Sequence, residues 1–566
     1  MSTSSTETTV PAASTAAPME DPSLIGLLRT TDHKRIGRMF MVTAMFFGLL
    51  GVVLDLVVRT ELTDETDRVL LGVGSFGQMF ALSHEALILL FGLPFFLGAA
   101  IYLIPLQVGA GNCVFPRGAA GAFWSWSLSS LILLGAYAGD GGPYGANGDS
   151  VDLYVVALGA VLVSLLWAAV IVATTAFTLR SPGLFLDSVP PFTWASMVTS
   201  VILVVSLPVM VANLLFSYVD LRYGEIYLEG AGGLWAQLDW LYRAPQIFLF
   251  AVPALGVVAE VLPSLAHRHI RHRRMLNAAI GSFALFGFGA WAQVNITQGE
   301  QLTDGASGLL LVLFLAGALV TVLAVLGLAV GSGSTARPSA LLSPSGLATL
   351  GVALLALVGT AVAFLGALLD WIESNGWLDI SPDAPLRFTT WNYAVFAAFA
   401  YGTLILGAMA AVMWWTPKIW GREVRPLHGR MAALGTIVGV LTMIVGAALS
   451  GILTGQPDFT FADPDFTDVY SSLLQGSGAE IYSAVVLVGL LVVGFSVVVA
   501  GLGLFRGLAV RERVGPNPWN AVSPEWELPS PPPPGVPAEL PELNSGTPIL
   551  DEEHEDLDTK ALEVGV

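Results

Sequence analysis

Imidazole is the side chain most often used to bind transition metals and to move protons near neutral pH, and this chain of 566 residues carries seven histidines. His84 is the one embedded in a long apolar stretch, near the start of SHEALILLFGLPFF and ten residues before Pro94. His267, His269 and His272 lie among arginines in HRHIRHRR, and His428 follows KIWGREVRPL. His33 and His554 fall outside the apolar stretches. The 267–272 group has residue types that bind metals, but so dense a basic run is first a solvated loop. Cys113 is the single cysteine, which excludes an intramolecular disulfide and a Cys-x-x-Cys metal site. A second stretch, RAPQIF at 243–248, opens another apolar run with a polar break and a proline. It poses the question of what Gln246 and Phe248 do there.

The elements that must position these residues are membrane spans. The chain is 54% hydrophobic and 12% charged, with a mean hydropathy of +0.72. An average soluble protein carries roughly 25% charged residues. Half that fraction cannot solvate so long a chain, which is therefore expected to be a polytopic membrane protein. Twelve apolar segments approach the ~20 residues that cross a bilayer. They run over 37–58, 80–107, 121–139, 151–178, 191–219, 243–265, 275–295, 307–331, 344–370, 390–416, 429–454 and 480–507.

Alternate loops differ in charge. Lys34, Arg35, Arg117, Arg180, HRHIRHRR, Arg337 and KIWGREVRPLHGR fall on one side, while RTELTDETDR, GDGGPYGANGDSVD, QGEQLTDG and DFTFADPDFTD fall on the other. The excess of Lys and Arg predicts a cell-membrane protein with both termini in the cytoplasm. Residues 1–30 read as a disordered cytoplasmic tail, 31–513 as the transmembrane domain, and 514–566 as a Pro-rich, acidic cytoplasmic tail. The net charge of −19 fits a saline, halophilic cytoplasm, where screening suppresses self-repulsion. One acidic tail would give the same total.

Several stretches together resemble subunit I of the haem–copper oxidases, the catalytic subunit of cytochrome c oxidase. TTDHKRIGRMFM is similar to the start of that family's first helix, and SHEALILLFGLPFFLGAAIYLIPLQVGAGNCVFPR to its second helix and following loop. PPFTWASMVTSVILVVSLPV resembles the fifth helix, WWTPKIWGR the end of the tenth, and NPWNAVSPEWELPSPPPP the C-terminal signature. The resemblance covers about residues 30–535. It implies an all-α membrane protein, the twelve-transmembrane-helix bundle of that subunit. It also implies a low-spin haem held by two histidines, a high-spin haem held by one, and a copper held by three.

Position by position, five of the six expected imidazoles are missing. His84 stands where the family has an axial ligand of the low-spin haem, and a haem through His84 is the one cofactor the resemblance supports. Counting back from Trp415, the family's His-Phe-His becomes Val395-Phe396-Ala397, and neither aliphatic side chain offers iron a lone pair. The Trp-Ala-His-His of the seventh helix becomes Trp291-Ala292-Gln293-Val294. The His-Pro-Glu-Val-Tyr of the sixth becomes Ala244-Pro245-Gln246-Ile247-Phe248. Copper is not expected, because a Gln carbonyl is a poor substitute for imidazole. In the loop after the second helix, Asn112 replaces a frequent Asp, and like Gln246 it cannot take up a proton.

These losses predict a pseudo-oxidase, a pseudoenzyme of the respiratory chain without the oxygen-reducing centre. It would act as a structural or assembly partner, with the bilayer and other oxidase subunits as its surroundings and no nucleic acid. The alternative is a divergent terminal oxidase or reductase that keeps one haem through His84 for electron transport. A third reading gives the former cofactor cavity an apolar ligand or quinone. An empty cavity of several hundred Å³ would cost roughly 10 kcal/mol, so filling is expected, with Trp391, Phe396, Phe399 and Phe248 as candidates.

Overall fold

The computed structural model describes residues 23–63, 73–223, 244–270, 272–296, 305–377, 385–458, 478–510, 512–534, 543, 545–553 and 555. Twelve long helices run through them. They are α1 (His33–Glu61), α2 (Ser75–Val108), α3 (Pro116–Ala138), α4 (Gly148–Thr178), α5 (Pro191–Tyr223) and α6 (Ala244–Leu265). The second half comprises α7 (Arg273–Ile296), α8 (Gly305–Gly333), α9 (Pro344–Ser374), α10 (Trp391–Trp420), α11 (Pro426–Thr454) and α12 (Ala479–Val510). Over the described residues, ten are long and apolar enough to cross a membrane. The other two, α6 and α7, stand where the sixth and seventh spans are expected.

Local chemistry sets the helix ends. The Asp32 side chain accepts from the Lys34 amide at the start of α1, and Asn147 does the same for Asp149 and Ser150 at the start of α4. Gly109, Gly421 and Gly455 close α2, α10 and α11 in the left-handed conformation, which glycine adopts without a Cβ clash.

Packing is by close backbone approach as well as by side chains. A Cβ at Gly439 on α11 would lie 2.6 Å from the Gly489 carbonyl on α12, and the converse distance is also 2.6 Å. Without a hydrophobic drive between helices in lipid, such small-residue contacts let neighbouring backbones approach and pack.

Two of the ten apolar spans are internal. Every residue in the apolar stretches of α2 and α10 is buried, whereas the outer helices expose much of theirs. Each inner helix also widens to a π turn, α2 over Ala86–Gly92 and α10 over Ala400–Ile405. In α2 the cause is legible: Pro94 has no N–H for the Leu90 carbonyl, and the Leu93 N–H reaches back five residues to Ile88. The two π turns face each other, since a Cβ at Gly92 would meet Leu404 at 2.8 Å. Such turns occur disproportionately at functional sites.

The C-terminal stretch docks onto this bundle. Residues 512–534 carry little regular structure beyond the turn Pro524–Glu527, yet Glu525 and Trp526 are buried. Lys418, at the end of α10, donates to the Leu528 carbonyl at 2.6 Å, and its ammonium lies 5.1 Å from the Trp526 ring centre. The Pro-rich composition accounts for the absence of helix, while a lysine and a tryptophan hold the segment against the protein. His554, the first twenty-two residues and the acidic end beyond Glu555 lie outside the described residues.

Candidate functional site

His84 is buried on α2, two residues before the π turn. Its Nδ1 lies 2.9 Å from the Phe80 carbonyl, one turn back on the helix. A carbonyl only accepts, so Nδ1 carries the proton and Nε2 the lone pair. The imidazole is flanked by two phenyl rings, with centroids 4.3 Å away for Phe80 and 4.4 Å away for Phe396. Phe396 comes from α10, between the hydrocarbon side chains of Val395 and Ala397, and all three are buried. One nitrogen ligand is thus present, and neither residue beside Phe396 can supply a second.

The neighbouring space holds a polar cluster that links α1 to α10. Asp55 accepts from Arg59 Nε at 3.3 Å, from the Tyr393 hydroxyl at 2.9 Å and from the Tyr401 hydroxyl at 2.5 Å. The Arg59 guanidinium also lies 3.5 Å over the Tyr393 ring, a cation–π contact strengthened by desolvation. Tyr393 stacks on Phe396 at 5.8 Å, so the cluster and the His84 sandwich share one wall. A charge in a membrane interior persists when it is paired and hydrogen-bonded. Asp55 meets that condition with three donors.

A second buried carboxyl group lies next to His84. Glu85 accepts from the Tyr154 hydroxyl at 2.6 Å and from that of Tyr137 at 3.0 Å, joining α2 to α4 and α3. A third cluster sits at the other end of the bundle. Gln107 donates to Glu260 at 2.7 Å and to Glu525 at 3.2 Å, and Glu260 also accepts from the Phe192 amide at 2.9 Å. It joins α2, α5, α6 and the C-terminal segment.

The other former-site positions divide in two. Ala244 and Gln246 open α6, while Gln293 and Val294 fall in the last turn of α7. Their side chains lie outside the described residues. Phe248 is described: it is fully buried, 4.4 Å from the Phe399 ring on α10 and 5.8 Å from Phe283 on α7. The place where the family resemblance puts a tyrosine is therefore packed with phenyl groups. Among the described residues, no group of three or more His, Cys, Asp or Glu could hold a metal ion. The described residues fit neither a haem held by two histidines nor a copper held by three.

Asn112 has a local role. Its amide donates to the Thr31 carbonyl at 2.9 Å and its oxygen accepts from the Cys113 amide at 2.9 Å, tying the α2–α3 loop to the chain before α1. Burial pushes the neighbouring Cys113 thiol up to about 12. His267 and His269 pair with Glu553 and Asp551, at 2.9 and 3.8 Å. The aromatic candidates Trp391, Phe396, Phe399 and Phe248 are all buried, and Trp391 donates to the Val362 carbonyl at 3.1 Å.

Sequence reasoning passed over Asp55, Arg59, Glu85 and Glu260. A usable signal was present, since each is an ionisable residue within or at the edge of an apolar span. Which hydroxyls and amides they meet was not in the linear pattern.

A family model described as Cytochrome C and Quinol oxidase polypeptide I matches residues 35–492. The "Heme-copper oxidase subunit I+III" of Aeropyrum pernix is 27% identical over 89% of this chain, which spans 60% of that relative's length. A putative cytochrome c oxidase subunit 1-beta of Streptomyces avermitilis is 26% identical over 94% of this chain and 92% of its own. Cytochrome c oxidase subunit 1 of Corynebacterium glutamicum is 27% identical over 93% and 88%. A cryo-EM structure of a heme-copper terminal oxidase dimer superposes with a TM-score of 0.62 over 86% of this chain and 85% of the other, at 13% identity, a likeness of fold. With a family model covering most of its length and a matching fold, this multi-pass membrane chain belongs to the haem–copper oxidase subunit I family.

Proposed function

We propose that the protein is a pseudo-oxidase, a subunit I-like membrane protein without the oxygen-reducing centre, acting as a structural or assembly partner in the respiratory chain. The observation that carries this reading is the wall opposite His84: Val395, Phe396 and Ala397 are buried hydrocarbon. Beside it the Asp55–Arg59 pair and two tyrosines occupy the interior. Phe248 and Phe399 pack together where the family's copper-linked tyrosine and its tenth helix meet. The loop charges support a cell-membrane location with both termini cytoplasmic, and other oxidase subunits are the expected neighbours.

One observation favours a second reading, an electron-transfer protein with a single haem on His84. Donation from Nδ1 to the Phe80 carbonyl fixes the ring and places the lone pair on Nε2, the nitrogen that would hold a metal. A pyridine haemochrome assay on the purified full chain separates the two. Haem well below one per chain is expected, and one haem per chain overturns the pseudo-oxidase reading.

A further inference from the structure

A cavity of about 730 Å³ opens where the loop after α6 meets the last turns of α8. One wall is basic, formed by His267, Arg268, His269 and His272, and the other is formed by Gly327, Leu328 and Gly331. The basic wall is only half compensated. His267 and His269 face Glu553 and Asp551 of the C-terminal segment. Arg268 and His272 are exposed and have no carboxylate partner among the described residues. The adjacent cavity, near Arg274 and Asp187, differs: those two already pair at 2.7 Å.

The second wall has its own chemistry. Gly327 and Gly331 are one helical turn apart, and a Cβ at either would meet nothing within 4 Å. Leu323 and Val330 beside them are exposed on the same apolar helix. Near its end, α8 thus offers a shallow notch flanked by exposed apolar side chains and closed on one side by basic groups.

We infer that this cavity binds an anionic phospholipid, with its phosphate at Arg268 and His272 and an acyl chain along the Gly327–Gly331 notch. The two walls match the two halves of such a molecule, and a free phosphate would use only the first. Basic pockets beside transmembrane helices on the cytoplasmic face take anionic headgroups. The inference rests on the cytoplasmic placing of the 267–274 loop and is independent of haem content.

The test uses the purified, delipidated full chain, offered equal amounts of phosphatidylglycerol and phosphatidylcholine and read by native mass spectrometry. The wild type is expected to retain phosphatidylglycerol about tenfold over phosphatidylcholine. Arg268→Gln with His272→Gln should abolish that preference, and Arg268→Lys should keep most of it. Gly331→Leu, which fills the notch and leaves the charges, should also lose it. Unchanged size-exclusion and circular-dichroism profiles establish that the variants fold. Equal retention by wild type and R268Q/H272Q overturns the proposal. So does displacement of phosphatidylglycerol by an equal concentration of inorganic phosphate together with an unaffected G331L, which would mark a free-anion site.

Discussion

The interior around His84 and the interior around Phe248 are built by opposite chemistry. Between α1, α2 and α10, around His84, the interior is polar: an ion pair, two tyrosine hydroxyls and an imidazole held between phenyl rings. Between α6, α7 and α10, around Phe248, the described interior is aromatic hydrocarbon. The two interiors are held together differently. The polar region makes stability depend on mutual satisfaction, because each group is costly without its partner. In the aromatic region, stability depends on volume.

That contrast can be broken by substitution. Arg59→Leu removes one partner of a buried pair and should cost about 3–5 kcal/mol, measured as thermal unfolding in detergent. Because the loss is mostly the stranded Asp55, Asp55→Leu combined with Arg59→Leu should cost less than Arg59→Leu alone. A double variant worse than the single would mean that the pair is not a self-contained unit. Phe399→Ala should cost about 3 kcal/mol through lost packing. Its effect should overlap with that of Phe248→Ala, since the rings touch; full additivity would separate them.

Smaller changes sharpen the comparison. Tyr401→Phe keeps the ring and deletes one donor to Asp55, an expected loss of about 2 kcal/mol for a hydrogen bond to a charged group. An effect near zero would show that Tyr393 and Arg59 alone satisfy the carboxylate. The smallest effect belongs to Cys113. With its thiol pushed up to about 12, the thiolate forms only in strong alkali, so maleimide labelling of the folded protein at pH 8 should be negligible. Rapid labelling would show that the α2–α3 loop opens.

Much of the fold was legible because hydropathy alone marks membrane spans. All twelve expected segments became helices, extended at their ends by caps such as Asp32 and Asn147. That Val395 and Ala397 flank Phe396 inside the protein was legible because all three fall within one apolar span. What fills the space was only half legible. The aromatic candidates were visible as types, but Asp55 and Tyr393 are 338 residues apart, and nothing in a single sequence pairs them. Glu525 shows the same limit: a proline-rich, acidic stretch gives no sign that its glutamate will accept from Trp415 at 3.1 Å inside the protein.

The central claim is that side chains, not a cofactor, occupy the space around His84. An experimental density map of the purified full chain in lipid nanodiscs tests it most directly. The account predicts the Phe396 ring against the His84 imidazole at about the 4.4 Å seen here, with Asp55 bound to Arg59, Tyr393 and Tyr401. A planar macrocycle on His84 Nε2, with the Asp55 cluster displaced, would contradict it.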